Sequence, residues 1–167
     1  MQGLSKSVPL VSLKDKLEAR NKYKDTILLC DASGSMAYPI IDKITAIDLV
    51  RKATEMFEGA RIYSFDSGFN VGIPNYPASS TNMAYAFYRI KEYKHKEIIL
   101  ISDGIPDSEQ DALKEAEGLK INIIYVGKKP VPEFLIKLAA ATNGKFEDID
   151  LINSKVLEDK IKGFIGV

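Results

Sequence analysis

Two kinds of hydrophobic pattern alternate along this chain. Residues 27–30 (ILLC), 97–102 (EIILIS) and 121–126 (INIIYV) are short, almost continuously apolar runs. Such runs mark strands covered on both faces, as in a parallel sheet. Between them the apolar positions step by three and four. Ile40, Ile44, Ile47, Val50, Ala53 and Phe57 form one such series, which predicts a helix over 39–57 with Pro39 in its first turn and Gly59 beyond its end. Further helices are predicted over 81–92, 108–117, 131–141 and 152–163, and strands over 60–65, 69–73 and 145–147. The turn chemistry of Asp66-Ser67-Gly68 joins 60–65 and 69–73 as a hairpin. A loop rich in Pro, Asn and Ser, 74–80, leads into Thr81. Residues 10–23 read as one more helix on the outside.

This alternation predicts an α/β, Rossmann-like doubly wound architecture. Its mostly parallel sheet has about six strands, one antiparallel edge strand and helices on both faces. A length of 167 residues without an internal repeat or linker-like composition suits one domain over 25–167, with 1–24 as a helical N-terminal extension packed on it. Lys+Arg and Asp+Glu are balanced at 23 each, so charge offers no case for nucleic acid or an anionic membrane. No run is long and apolar enough to span a bilayer, and the first residues lack the apolar centre of a signal peptide. The single cysteine, Cys30, cannot form an internal disulfide. These features point to a cytoplasmic protein.

The candidate chemistry sits where the apolar runs stop. Residues 27–30 end on Asp31, and Ser33 and Ser35 follow around Gly34. Residues 97–102 end on Asp103, and Thr81 opens a helix. In an open α/β sheet the carboxyl ends of the strands form the ligand-binding crevice. Two carboxylates and three hydroxyls delivered there suit a small hard cation, and the lack of Cys and His among them argues against zinc or copper.

Asp31-x-Ser33-Gly34-Ser35, then Thr81 within 79-SSTNMAYAF-87, then Asp103-Gly104 after an apolar strand, resembles the metal-ion-dependent adhesion site of von Willebrand factor type A (VWA) domains. The stretches 97-EIILISDGIPD-107, 121-INIIYVG-127 and 134-FLIKLAAATNGKF-146 resemble later strands and a late helix of that family, so the likeness covers roughly 25–164. It implies Mg²⁺ or Mn²⁺ bound directly by Ser33 and Ser35, with Thr81 binding directly or through water. Asp31 and Asp103 would mostly hold metal-bound waters. An Asp or Glu of an unknown partner protein would complete the coordination, in some cases within a larger complex. The implied function is a metal-dependent protein-interaction module rather than an enzyme.

Blander roles compete for each residue alone. Ser33, Ser35 and Thr81 can cap helices, and Asp103-Gly104 can be a turn. Asp107 reads as a surface acid opening a helix, with an approach to the metal loop as the alternative, and Asp66 as a hairpin-turn residue, with metal involvement as the lesser option; Cys30 reads as a buried apolar residue and His95 as solvated. Tyr38, Tyr76 and Pro77 read either as partner contacts or as loop packing. A magnesium-dependent hydrolase, phosphatase-like, is the alternative function. However, the residue two places after Asp31 is Ser33 rather than an acid–base Asp, and neither a GxxxxGK[ST] loop nor a GxSxG elbow is present. A structural assembly subunit that uses no metal is the third reading, and the full set of five oxygen donors argues against it.

Overall fold

The computed structural model describes residues 12–77 and 80–166. The first two residues of the helix expected over 10–23, and part of the loop 74–80, lie outside them. In chain order the elements are α1 (Leu13–Lys22), β1 (Ile27–Asp31), a 3₁₀ turn (Gly34–Ala37), β2 (Pro39–Ile41), β3 (Ile44–Thr45), α2 (Ala46–Thr54) and β4 (Arg61–Phe65). They continue with β5 (Phe69–Val71), α3 (Met83–Glu92), β6 (Glu97–Ser102), α4 (Glu109–Glu115), β7 (Lys120–Tyr125), α5 (Glu133–Ala141), β8 (Phe146–Asp148) and α6 (Ser154–Ile165).

Six strands form one sheet in the order β5-β4-β1-β6-β7-β8. Five run parallel, and β5 returns antiparallel beside β4 at the edge. This is the mixed sheet that the alternation of apolar runs and helical periods predicts. β1 lies at its centre and is buried at all five positions, because helices cover both faces. The pleat sends alternate residues of β1 to opposite sides. Ile27 and Leu29 join Phe65, Phe87, Ile90, Leu100 and Leu135 beneath α3, α4 and α5. Leu28 and Cys30 join Val50, Phe57, Ile101, Leu157 and Ile161 beneath α2 and α6. No described helix is long and apolar enough to cross a membrane.

The helix predicted over 39–57 is shorter in the structure. Residues 39–45 form a separate antiparallel ribbon, β2–β3, and the helix begins at Ala46. The start is set by a capping box, in which Thr45 Oγ1 accepts the Asp48 N–H while the Asp48 carboxylate accepts the Thr45 N–H. Pro39 lies in β2, and Asp42 turns the ribbon with φ 52°, a left-handed conformation that Asp tolerates. Gly59 does not cap the helix, which ends at Thr54. It has φ 95° in the following turn, where a Cβ would stand 2.1 Å from the Arg20 carbonyl oxygen. None of the residues of α1 is buried. Contacts with the body lie at its C-terminal end, through that approach, an Arg20–Glu58 ion pair and Tyr23 edge-on to Phe57.

Gly59→Ala is expected to destabilise the protein by about 2 kcal/mol in urea denaturation, from positive φ and the Arg20 carbonyl together. Gly163→Ala, inside α6 with open space where its Cβ would stand, is expected to stabilise by about 0.5–1 kcal/mol.

Candidate metal centre

β1 and β6 run side by side with Cys30 in register with Ile101, so Asp31 and Ser102 are neighbours at the carboxyl edge. Asp31 is fully buried, and a carboxylate there needs a donor for each oxygen. Its Oδ1 accepts the Ser33 backbone N–H at 2.8 Å, and its Oδ2 accepts the Ser102 hydroxyl at 2.7 Å. The first bond folds the chain back on itself and sets Ser33 beside Ser35. Their Oγ atoms are 3.2 Å apart, and Ser35 donates to Asp103 Oδ1 at 2.8 Å. Asp31, Ser33, Ser35 and Asp103 are thus one hydrogen-bonded set that rises from the core to the surface.

Thr81 stands apart from that set. Its N–H donates to Asp107 Oδ1 at 3.0 Å, and its carbonyl accepts the Asp107 N–H at 3.0 Å. Among the described residues its hydroxyl makes no hydrogen bond. Ser80 donates to Asp107 Oδ2 at 2.6 Å. Asp107 is exposed just before the N-cap of α4, as its sequence suggested, and it also latches the loop before α3 to the loop after β6. Asp66 is the turn residue its sequence suggested: Oδ1 accepts the Gly68 N–H at 2.7 Å, and its carbonyl accepts the Asn82 N–H at 2.8 Å. Ser102 is the participant that the sequence reading missed. Its signal was a lone hydroxyl closing an otherwise apolar strand.

Burial pushes the Asp31 carboxyl up to about 6, against hydrogen bonds from Ser33 and Ser102 that pull the other way, and the nearby Asp103 charge adds to the rise. Burial also raises Asp103, partly offset by the Ser35 bond. Cys30 is pushed up to about 12 by burial and then by the Asp31 charge, which leaves it an inert thiol. His95 precedes β6 at the opposite edge of the sheet and meets the Tyr63 hydroxyl at 3.0 Å. It is partly shielded by that contact rather than fully solvated.

The donor set fits a small hard cation. Adjacent ligands on an octahedral magnesium ion stand about 3 Å apart, close to the 3.2 Å between the two serine hydroxyls. All the donors are oxygens. Among the described residues no three His, Cys, Asp or Glu side chains gather as a metal-ligating group, so this edge offers hydroxyls backed by two carboxylates.

No protein-family model matches the sequence, and no curated protein matches it. Solved structures do match. The von Willebrand factor type A protein from Catenulispora acidiphila superposes with a TM-score of 0.68 at 17% identity, over 84% of this chain and 41% of that one. This chain therefore spans less than half the length of that protein. The TFIIH p34 N-terminal domain superposes with a TM-score of 0.53 at 12% identity, over 83% of this chain and 97% of that one. At such identities the likeness is one of fold: the chain has the Rossmann-like fold of VWA domains.

With an ordinary value of 3.8 and a folded value of about 6, Asp31 keeps its proton in the folded protein over a range where the unfolded chain has lost it. Its contribution to stability is full below pH 4 and declines as pH rises to 6, by on the order of 3 kcal/mol. In chelator-treated protein, Asp31→Asn is expected to remove that decline from the pH profile of urea stability. Ser102→Ala, which leaves Asp31 Oδ2 without its donor, is expected to cost about 2 kcal/mol at pH 7 and less at pH 4.

Proposed function

We propose that this chain is a metal-dependent protein-interaction module. Ser33 and Ser35 bind Mg²⁺ or Mn²⁺ directly, Asp31 and Asp103 hold waters around it, and Thr81 contributes directly or through water. An Asp or Glu from a partner protein completes the site. The observation that carries this reading is the pair of serine hydroxyls 3.2 Å apart, one buried and one exposed, with Asp103 alongside and Asp31 behind. A dication ligated mainly by neutral hydroxyls and waters retains positive charge, and so attracts an incoming carboxylate.

Binding is preferred to hydrolysis because neither the single histidine nor the single cysteine stands at this edge to act as base or nucleophile. His95 lies at the other end of the sheet, and Cys30 is buried with its thiol held protonated. One structural neighbour is named as part of TFIIH, which accords with a place in a larger complex.

Thermal melts in EDTA, Mg²⁺, Mn²⁺ and Ca²⁺ test the proposal. Mg²⁺ or Mn²⁺ at about a hundred times its Kd is expected to stabilise by about 2.7 kcal/mol, and Ser33→Ala to abolish the shift. The shift should shrink at pH 5, where a proton on Asp31 competes with the cation. Identical melts in every condition would refute the metal assignment.

A further inference from the structure

The ribbon carries apolar residues that the fold does not use as core. Tyr38 is 71% exposed, and Ile40, Ile41 and Ile44 are 38%, 41% and 46% exposed. On the neighbouring loop Ile105, two residues after Asp103, is 52% exposed. Five large apolar side chains therefore stand in solvent on the two loops that carry Ser33, Ser35 and Asp103. Isolated exposed apolar residues are ordinary, but a run of them beside a polar site marks an interaction surface.

The ribbon is held in place. The Tyr38 N–H donates to the Ser35 carbonyl at 3.1 Å, and the Tyr38 carbonyl accepts the Ala46 N–H at 3.3 Å. At the other end Thr45 is fixed by its capping box with Asp48. One end is thus pinned to the candidate metal loop and the other to α2. A two-stranded ribbon of this size is marginal by itself. Its isoleucines have stiff side chains, which lose little freedom when a partner covers them.

We propose that ribbon 38–44 and Ile105 form an apolar rim around the metal edge, and that the rim selects the partner. The segment it fits belongs to another protein and carries an Asp or Glu with a Leu, Ile, Phe or Met within two positions. This inference rests on the metal-dependent reading above. The two chemistries of the surface decide the occupant. The centre accepts a carboxylate, and the rim accepts hydrocarbon. A small carboxylic acid would leave the rim in water. A bilayer would meet Asp42 and Lys43 at the ribbon tip, one charge of each sign. A peptide with adjoining acidic and apolar side chains covers both parts, and covering the rim keeps water from the charged contact.

The test selects a displayed library of short random peptides on the full chain in millimolar Mg²⁺ and elutes with EDTA. One enriched sequence is then synthesised and its affinity measured. Enrichment of Asp or Glu with a large apolar neighbour is expected. The double variant Ile41→Ser, Ile44→Ser should bind the synthetic peptide at least about tenfold more weakly, while its Mn²⁺-induced rise in Tm stays as in the unmodified protein. Acidic peptides without apolar neighbours, an affinity unchanged by the double variant, or a metal shift with no EDTA-eluted enrichment would each overturn the rim and leave the metal reading standing. Absence of both the metal shift and the enrichment would overturn the metal reading, and the rim with it. A concentration-dependent dimer in sedimentation that the double variant abolishes would assign the surface to a second copy of the chain and overturn the proposal.

Discussion

A carboxylate buried at the end of the central strand governs this structure. Asp31 is cut off from water and stays in place because each of its oxygens has a donor: the Ser33 N–H from its own loop and the Ser102 hydroxyl from the adjacent strand. These two bonds do different work. One shapes the loop after β1 so that two serine hydroxyls meet, and the other ties the end of β1 to the end of β6, from which Asp103 emerges. Without such matching, a buried charge is among the most costly features a fold can contain. Burial already drives the carboxyl toward its protonated form, so a cation held just outside it would relieve a cost that the protein carries alone.

Around this point the carboxyl edge is built from loops that hold one another. Asp107 binds Ser80 and Thr81, and Asn82 donates its N–H to the Asp66 carbonyl. The loop before α3 is thereby fixed to the loop after β6 on one side and to the β4–β5 turn on the other. Thr81 is held at the edge through its backbone partners, and among the described residues its hydroxyl makes no hydrogen bond. The amino edge of the sheet carries His95, in an aromatic contact with Tyr63, together with Asp25, Glu97 and Asn122. The two ends of the sheet are thus chemically distinct, and the cluster of Ser33, Ser35 and Asp103 lies at the carboxyl end.

Much of the fold was legible because buried parallel strands and amphipathic helices write different periods into the chain. The runs at 27–30, 97–102 and 121–126 needed apolar residues on both faces, and each became an interior strand. The misreading at 39–57 has an equally physical cause. Ile40 and Ile44 continue the helical spacing of Ile47 and Val50, but spacing alone does not say where a helix starts. The Thr45–Asp48 capping box supplied the start, and the residues before it became a ribbon. The partners of Asp107 and the role of Ser102 were not legible for a related reason. Their partners lie 26 and 71 residues away in sequence, and no local pattern encodes such a pairing.

The sequence by itself therefore determined the architecture and the donor types at the carboxyl edge, since strand burial and ligand chemistry are properties of residues and their spacing. Tertiary structure decided which donors meet and what surrounds them. It joined Ser33, Ser35 and Asp103 through the constraint on Asp31, kept the Thr81 hydroxyl outside that set, and placed the isoleucines of the ribbon in solvent. Those outcomes depend on which strand ends lie side by side and where a helix is capped. Both are settled only when distant segments compete for the same core and the same hydrogen bonds.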